Sequence, residues 1–334
     1  MAADTSGTST PGAAGGRAAW EVERGFPRLE TVRSALTALY RHFHAPPPDG
    51  RPAAGSGRPG PSCPADSTAS TPLDAYANSV LPVEVAFEDT EDPRLGAERL
   101  ARAMVRQLRL PEARVSVTFR AMADAAAVEL TAGPEYAVEL NSRFLRHRRD
   151  IGAALAHEVT HVWLHRNGLE WPETADNEIL TDTAACFLGA GWLLLDAFRQ
   201  DAVSSQKLGY LTPEEFGYVL AKRARVFGED PAIWFTSPQA YEAYVRGRTR
   251  AERDATRPPL AASGRGGRRW RYARERARAQ RVGHGSGPGY TFVAGSPLRV
   301  AFPCPTCYQR IRVPVRGPVR VRCALCRAVL DCDT

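Results

Sequence analysis

The sequence predicts an α+β fold, with a small sheet, several helices and a small β module at the C-terminal end. Alternating apolar residues predict short strands at 83–87, 115–119, 126–130 and 136–140. Helical periodicity predicts longer segments at 27–44, 92–109, 150–167 and 172–198. Two CxxC pairs near the C-terminal end indicate a second unit that holds a metal ion.

Capping residues define where some of these helices begin and end. Asp150 is at the position of an N-cap, and Gly168 follows the same helix where a left-handed residue commonly ends one. The break at Gly168 and Trp171-Pro172 lets the next helix fold back beside the first. Thr212-Pro213-Glu214-Glu215 has the pattern of a capping box with proline at the first helical position, so another helix begins there.

Composition divides the chain into segments. Residues 1–18 are small and polar and are expected to be disordered, and residues 19–44 form a helical segment. Residues 45–75 form a Pro/Gly-rich linker, in which Cys63 is expected to be a free surface thiol. The segments that follow are the main folded domain, an Arg/Gly-rich linker and the C-terminal module, at 76–245, 246–298 and 299–334.

Charge is distributed unevenly along the chain. The net charge is +7, yet residues 246–334 hold 20 Arg against five acidic residues, so residues 1–245 carry a net negative charge. Only Lys207 and Lys222 are lysine among 44 basic residues, a skew typical of a coding bias rather than of a function. The chain shows no signal peptide pattern, and its most apolar run, 184–198, is too short to span a bilayer. We therefore expect a cytoplasmic protein without membrane contact.

The main domain contains His157-Glu158-Val159-Thr160-His161. On a helix, residues i and i+4 lie on one face about 6 Å apart in rise, so both imidazoles can converge on one tetrahedral zinc ion. Glu158 is rotated by about 100° from His157, which places its carboxylate beside the metal as a general base for a water molecule. The alternative is a helix with two unrelated histidines that form ordinary hydrogen bonds.

A catalytic site with two histidines needs one more protein ligand and an open position for water. Glu178 lies on the next predicted helix, in the segment Asn177-Glu178-Ile179-Leu180-Thr181-Asp182, and is the candidate third ligand. Asp182 is one turn further on the same face and can accept the other N–H of a ligating histidine, which fixes its tautomer. His165 lies on the His157 stripe, but a straight helix separates the two by about 12 Å in rise, too far to share one ion.

These motifs resemble those of the gluzincins, the thermolysin-like zinc peptidases, which carry HExxH on one helix and Asn-Glu-x-x-Ser/Thr-Asp on the next. The resemblance covers 136–198. It implies a zincin-like metallopeptidase core, a small sheet plus active-site helices, within 76–245. The zinc ligands would be His157, His161 and Glu178, with Glu158 as general base and Asp182 behind a ligand. It further implies a zinc metalloendopeptidase that uses metal-activated water to hydrolyse bonds in a peptide or protein. The family's downstream histidine has no counterpart, and its nearest substitutes are Tyr210 and Tyr218.

The C-terminal module contains two CxxC knuckles separated by 15 residues, a spacing typical of a zinc ribbon; they are Cys304, Cys307, Cys323 and Cys326. Four thiolates leave no open position, so this zinc is structural and stabilises a module of about 36 residues that buries little by itself. The apolar residues between the knuckles predict a hairpin that turns at 316–318, and Cys332 is expected to be spare. We therefore expect two Zn²⁺ ions, one catalytic and one structural.

The basic tail, 246–334, is a candidate surface for nucleic acid. Seven arginines precede the ribbon, with Trp270 and Tyr272 among them, and the ribbon adds seven more; they are Arg268, Arg269, Arg271, Arg274, Arg276, Arg278, Arg281, Arg299, Arg310, Arg312, Arg316, Arg320, Arg322 and Arg327. Arginines can contact phosphates while aromatic side chains stack on bases. The alternatives are a solvated connector, or a ribbon that docks a protein partner or the substrate.

Two other functions fit parts of the sequence. SprT-like peptidases combine HExxH with a C-terminal zinc ribbon and act near DNA, but their third ligand is a histidine. Beyond His165, the only later histidine here is His284. The second alternative is a nucleic-acid-binding or partner-binding regulator whose central zinc site is inactive.

Overall fold

The computed structural model describes residues 22–44, 71–88, 90–131, 133–201, 205–261 and 266–334. Residues 1–18 and Cys63 lie outside this part, as does most of the segment 45–75. Over the described residues the fold is mixed α/β with small sheets. The helices are α1 (Leu29–His44), α2 (Pro82–Val85), α3 (Pro93–Gln107), α4 (Ile151–Arg166), α5 (Thr174–Phe187), α6 (Trp192–Asp196), α7 (Pro213–Phe227), α8 (Pro238–Ala255) and α9 (Gly266–Val282).

The strands are short, and the first three form the central sheet. They are β1 (Arg114–Arg120), β2 (Ala126–Glu129), β3 (Glu135–Asn141), β4 (Arg199–Gln200), β5 (Ser205–Gln206), β6 (Gly285–Gly287), β7 (Tyr290–Val293), β8 (Arg299–Pro303), β9 (Arg310–Pro314), β10 (Pro318–Arg322) and β11 (Val329–Asp333). The predicted helices at α1, α3, α4 and α7, and the predicted strands at β1, β2 and β3, are confirmed.

The central sheet has the order β1-β3-β2, with β1 parallel and β2 antiparallel to β3. Alternate residues of β3, namely Tyr136, Val138 and Leu140, are buried, which is the period expected of a strand with one face in the core. Helix α3 packs on β1, and helix α4 packs on β2 and β3. Within the described residues, β2 therefore forms one edge of the sheet.

Two local predictions are wrong. The segment 83–87 is not a strand, because Pro82–Val85 form a helical turn with proline at its start and the Glu84 carboxylate accepts a hydrogen bond from Leu81 N at 2.9 Å. Asp150 is at the N-terminal end of α4, but its side chain caps nothing there. Its buried carboxylate accepts hydrogen bonds from Arg199 at 2.6 and 3.0 Å and from Gln206 at 2.5 Å.

The helix predicted over 172–198 is interrupted. Helix α5 ends at Phe187, and α6 begins at Trp192. Between them Gly189 adopts φ +101°, and a Cβ on it would lie 3.0 Å from backbone atoms of Asn78 and Ser79. Only glycine accepts this conformation and this close approach, so the glycine ends a helix that apolar periodicity alone would continue.

Helix α7 begins with the predicted capping box. Thr212 Oγ1 accepts a hydrogen bond from Glu215 N at 3.1 Å, and Glu215 accepts one from Thr212 N at 3.0 Å. Helix α8 packs closely on α7, where a Cβ on Gly247 would lie 2.2 Å from Tyr218 N. The two backbones approach at a glycine, which places α8 where its last turn can meet the C-terminal β strands.

Much of the range 246–298 has regular secondary structure, although it lacks hydrophobic periodicity. It contains the end of α8, all of α9, and β6 and β7, which extend the sheet of β8 and β9. Helix α9 could not be predicted from apolar periodicity, because only Tyr272 and Ala279 are buried on it, and seven of its other fifteen positions are arginine. Where the boundaries between domains fall stays a prediction.

The hairpin predicted between the two knuckles is not the one that forms. Strand β9 pairs with β8, and β10 pairs with β11, so each CxxC knuckle is the turn of its own hairpin. Each knuckle ends at a residue in the left-handed region, Tyr308 at φ 61° and Arg327 at φ 60°. Backbone hydrogen bonds across each CxxC turn fix these two hairpins, and the apolar pattern between the knuckles carries no information about that pairing.

A buried polar network connects the first knuckle to the helices. Arg33 on α1 donates to both oxygens of Asp254 on α8, at 2.7 and 2.6 Å. The hydroxyls of Tyr218 on α7 and Tyr308 donate to Asp254 Oδ2 at 2.6 and 3.1 Å. Lys222 on α7 is also buried and donates to Pro305 O at 2.9 Å. The Asp254 carboxylate thus lies among the basic side chains of Arg33, Lys222 and Arg257 where three helices meet the cysteine-rich turn.

In the described part of the chain, no helix is both long enough and apolar enough to cross a membrane.

We expect Asp254→Asn to lower the free energy of unfolding by about 3 kcal/mol, because Arg33 then keeps only the exposed carboxylate of Glu30 as an ion-pair partner, and the hydroxyls of Tyr218 and Tyr308 lose their anionic acceptor. Urea unfolding followed by circular dichroism measures the change. The matched control is Asp331→Asn, whose carboxylate pairs with Arg320 at 2.7 Å on the surface, where an ion pair contributes about 0.2–1 kcal/mol. Equal effects of the two substitutions would contradict the role of the buried network.

Candidate metal centre and its cleft

The two histidines of the central site lie one turn apart on α4, a helix that is buried along most of its length. Their ring centroids are 4.8 Å apart, as expected for positions i and i+4. Helix α5 packs beside α4 and brings Glu178 to the same point. The distances from Glu178 Oε2 to His157 Nε2 and His161 Nε2 are 3.0 and 3.2 Å, and the two Nε2 atoms are 3.2 Å apart.

This triangle has the dimensions of a metal site. Ligands about 2.1 Å from a tetrahedral zinc ion lie about 3.4 Å from one another, close to the three measured separations. Three protein ligands also leave a fourth position for water or substrate. His157, His161 and Glu178 could therefore hold a metal ion. His165 is not part of the group, since its Nδ1 lies 2.8 Å from Glu170.

Both histidines are also held at their other ring nitrogen. Asp182 Oδ1 lies 2.8 Å from His157 Nδ1, and Thr181 Oγ1 lies 3.3 Å from His161 Nδ1. Asp182 is fully buried, and its second oxygen accepts hydrogen bonds from the backbone N–H groups of Tyr210 and Leu211. These contacts hold Nδ1 of each ring and leave both Nε2 atoms directed at the shared point.

The charges of the site favour an anionic third ligand. Although burial acts to raise it, hydrogen bonds from both histidines lower the pKa of Glu178 to about 2. Burial acts to lower the pKa of His157, but the carboxylates of Asp182 and Glu178 outweigh it and raise that pKa well above its usual value. Without a metal ion, a proton on His157 therefore occupies the place that the cation would take.

Glu158 lies beside this group in a different environment. The residue is buried, its carboxylate forms no hydrogen bond or ion pair with the described part of the chain, and its oxygens stay open to a neighbouring cleft. Burial raises its pKa, opposed by the positive charge of His157 and His161. A carboxylate shifted towards neutral pH and left unbonded is suited to accept and return a proton.

The site opens into a cleft of about 280 Å³. One side is formed by residues 123–126 at the start of edge strand β2, and the other by residues 207–210, with His157 and Glu158 between them. The ring of Tyr210 stacks on His157 at 5.8 Å between centroids. Burial and the nearby carboxylates of Glu178 and Asp124 raise the pKa of Tyr210, so the phenol stays protonated at neutral pH.

Two side chains hold the segment 207–210 in place, the amino group of Lys207 and the carboxylate of Asp182. The Lys207 amino group donates to Gly209 O, and to Leu211 O at 3.1 Å, and burial lowers its pKa. Gly209 adopts φ +77°, and a Cβ on it would lie 2.6 Å from Asp182 Oδ1. The backbone can thus approach Asp182 closely enough to donate to it only because this residue is glycine.

Several residues of the site were not identified as functional residues from the sequence. Thr181 occupies the Ser/Thr position of the Asn-Glu-x-x-Ser/Thr-Asp motif on α5, so the motif itself could have indicated this residue. Lys207 and Gly209 join the site through a loop about 50 residues after the histidines, so no local spacing indicates them. Arg143 lines the same cleft, again from a distant segment.

The four cysteines of the knuckles also converge. Cys304 Sγ lies 3.6 Å from Cys326 Sγ, and Cys307 Sγ lies 3.6 Å from Cys323 Sγ. Thiolates 2.3 Å from a tetrahedral zinc ion lie about 3.8 Å apart, so this cluster could hold a metal ion and is compatible with a zinc ribbon. Cys332 is buried on β11 and is not part of the cluster.

We expect zinc binding at the histidine pair to weaken about tenfold per pH unit below the raised pKa of His157, because the ion must displace the proton there. Glu178 stays ionised across this range and adds no dependence. Competition with a chelating indicator between pH 5.5 and 8.5 measures the effect on protein whose cysteine site is already loaded. Asp182→Asn removes a carboxylate that raises this pKa, so the same dependence should move to lower pH. An affinity independent of pH would contradict the assignment.

Gly209→Ala should weaken zinc binding at the histidine pair by about tenfold or more, because the added methyl group displaces Asp182 from His157. The matched control is Gly228→Ala at the end of α7, with φ +75° and nothing within 4 Å of its Cβ. Both substitutions strain a left-handed residue, but only the first reaches the metal site. Zinc affinities of the two variants, measured with the same indicator, should differ accordingly, and equal values would contradict the role of Asp182.

Comparison of the chain with protein-family models, with curated proteins and with solved structures found no match in any of the three. The chemistry of this site must therefore be argued from its own residues. What the geometry establishes is that two separate groups of side chains could each hold a metal ion, one closed by four cysteines and one with an open position.

Proposed function

We propose that the protein is a zinc-dependent metallopeptidase of the gluzincin type, with His157, His161 and Glu178 as ligands of the catalytic zinc. The observation that carries the proposal is the position of Glu158, a buried and unbonded carboxylate in the cleft beside three converging ligand atoms. A purely structural metal site has no use for such a base. The cysteine cluster holds the second, structural zinc.

In this proposal each residue has a separate task. A zinc ion in the site would polarise the scissile carbonyl and make a water molecule acidic. Glu158 takes the proton of that water and passes it to the leaving amine, a transfer to which its raised pKa is suited. Asp182 and Thr181 keep both imidazoles oriented. Tyr210 lines the cleft and can donate a hydrogen bond to the developing negative charge, whereas Tyr218 is buried and donates to Asp254.

The edge strand supports a peptide as substrate. Residues 123–126 line the cleft at the start of β2, and β2 pairs only with β3 within the described residues. An extended peptide can add to such an edge through backbone hydrogen bonds, which recognise the main chain whatever the side chains. This arrangement favours an amide bond in an extended chain over a small, compact substrate.

The SprT-like alternative is less favoured because it needs a third histidine. Within the described residues, the potential metal-binding group contains His157, His161 and Glu178 and no further histidine. His284 is exposed beside β6, and its Nδ1 lies 3.1 Å from Val282 O. A regulator with an inactive zinc site differs from the proposal only in the role of Glu158.

We expect Glu158→Gln to retain about two zinc ions per chain and to lower peptide hydrolysis at least about a hundredfold, because it removes the proton acceptor but leaves the ligands in place. Metal analysis and a screen against a denatured-protein peptide library measure both quantities.

Two control variants separate the alternatives. Glu178→Gln should lose the central zinc and keep the other, and His284→Ala should change neither quantity. If His284→Ala loses the metal, the SprT-like function is favoured. If wild-type protein carrying both ions hydrolyses nothing in the library, the regulator is favoured.

A further inference from the structure

Helix α9 divides its arginines between two opposite faces. Arg269 donates to Asp333, and Arg276 donates to Thr334 O at 2.8 Å, on the side where Tyr272 and Ala279 are buried. Tyr272 packs on Tyr290 and Phe292 of β7, with ring centroids 4.9 and 5.6 Å away. This face anchors the helix to the C-terminal β strands. It also removes Tyr272 from the aromatic residues that the sequence offers for base stacking.

The opposite face carries Arg271, Arg274, Arg278 and Arg281, which we call the arginine stripe. At about 100° per residue, these four positions fall within an arc of about 80° and extend over about 15 Å of helix. All four are exposed, and none forms an ion pair with a carboxylate in the described ranges. On the main domain, by contrast, arginines such as Arg99, Arg120 and Arg199 pair with acidic neighbours.

Next to the stripe lies an exposed aromatic ring. Trp270 has 65% of its surface exposed, and the Arg274 guanidinium lies 5.7 Å from its ring centroid. The indole borders a cleft of about 280 Å³, which is also lined by the apolar segment Pro258, Pro259 and Leu260. Arg269, Arg276 and Asp333 supply polar groups at the same cleft. Its volume is sufficient for one planar base beside the indole.

We propose that this face of α9 binds single-stranded nucleic acid, with the arginine stripe on successive phosphates and one base stacked on Trp270. The four guanidinium groups follow one another over about 15 Å of one helix face, so they can contact successive phosphates of one strand. An exposed indole beside the stripe favours a single strand, since the bases of a duplex are stacked on one another and cannot stack on a side chain. An anionic membrane or an acidic polypeptide would use the charge but not the aromatic cleft.

Because the main domain is negatively charged, binding of a polyanion depends on where the positive charges lie. Residues 1–245 repel polyanions, so binding depends on the local field of α9 and not on the net charge of +7. Other exposed arginines, including Arg299 and Arg312, lie on the face of the β8–β9 sheet opposite the buried Val300 and Val313. They are not needed for the proposal.

The test uses the full chain loaded with zinc and a fluorescein-labelled oligothymidylate of about 20 nucleotides, followed by fluorescence anisotropy at several salt concentrations. Replacing the four stripe arginines with glutamine should reduce the magnitude of the negative slope of log affinity against log salt by about 3, because each lost phosphate contact accounts for about 0.7 of that slope. Glutamine keeps the helix propensity of arginine. The matched control replaces Arg94, Arg102, Arg106 and Arg146, four exposed arginines of the main domain, and should keep the wild-type slope.

A second substitution tests the stacked base without changing charge. Trp270→Ala should weaken binding about tenfold with an unchanged salt slope, and Trp270→Phe should recover most of the loss. This comparison decides the question even if the fourfold variant loses helix content. Glu158→Gln should bind like wild type, because the cleft of the proposed hydrolase shares no residue with this surface, so the two proposals fail separately.

Three results would overturn the proposal. The first is an equal loss in the stripe variant and the main-domain control, which would reduce the effect to net charge. The second is tighter binding of duplex than of single strand with no effect of Trp270→Ala. The third is binding to vesicles of anionic phospholipid or to polyglutamate that matches the oligonucleotide at equal charge concentration.

Discussion

The central site depends on the buried carboxylate of Asp182. One of its oxygens holds His157 Nδ1, and the other accepts hydrogen bonds from the backbone of Tyr210 and Leu211. A buried charge is tolerated only when it is compensated on all sides, so these bonds fix three segments relative to one another: α4, α5 and the loop that precedes α7. The loop in turn places Tyr210 against His157 and forms one wall of the cleft. Metal geometry, cleft shape and the start of α7 therefore share one constraint.

Helix α7 extends this constraint towards the cysteine cluster. It starts at the capping box just after the loop, and two turns later its Tyr218 and Lys222 reach the buried network at the first knuckle. Its N-terminal carboxylates also bind the chain before α1, since Glu214 accepts from Arg24 at 2.8 Å and Glu215 from Arg28 N at 2.5 Å. These contacts are buried or partly buried, and removing one partner of such a pair leaves the other without its hydrogen bond. The two candidate metal centres are therefore joined through a single helix.

Features that depend on residues close together in the chain could be predicted from the sequence, and features that depend on distant segments could not. The group His157, His161 and Glu178 could be anticipated because a helical turn and one reversal fix it, and the two knuckles because each is a four-residue turn. The pairing of β9 with β8, and not with β10, could not, because the alternation of apolar residues along β9 and β10 does not specify which strand each of them pairs with. Helix α9 could not be predicted for a related reason. Only Tyr272 and Ala279 are buried on it, and the other side chains that anchor it are Arg269 and Arg276, which bond to Asp333 and Thr334. Gly209 and Lys207 act through Asp182, which only the folded chain brings near them.

The state of Glu158 separates a functional site from a merely buried one. In the described part of the chain, the other buried carboxylates are all bonded: Asp150 to Arg199, Asp182 to His157, Glu214 to Arg24, Glu215 to Thr212 N and Asp254 to Arg33. Glu158 differs because no protein donor holds it, and its carboxylate faces the cleft beside three converging metal-ligand atoms, where water can reach it. A carboxylate locked in an ion pair cannot accept and release a proton near neutral pH, whereas one that is free of protein partners and open to a cleft can do both.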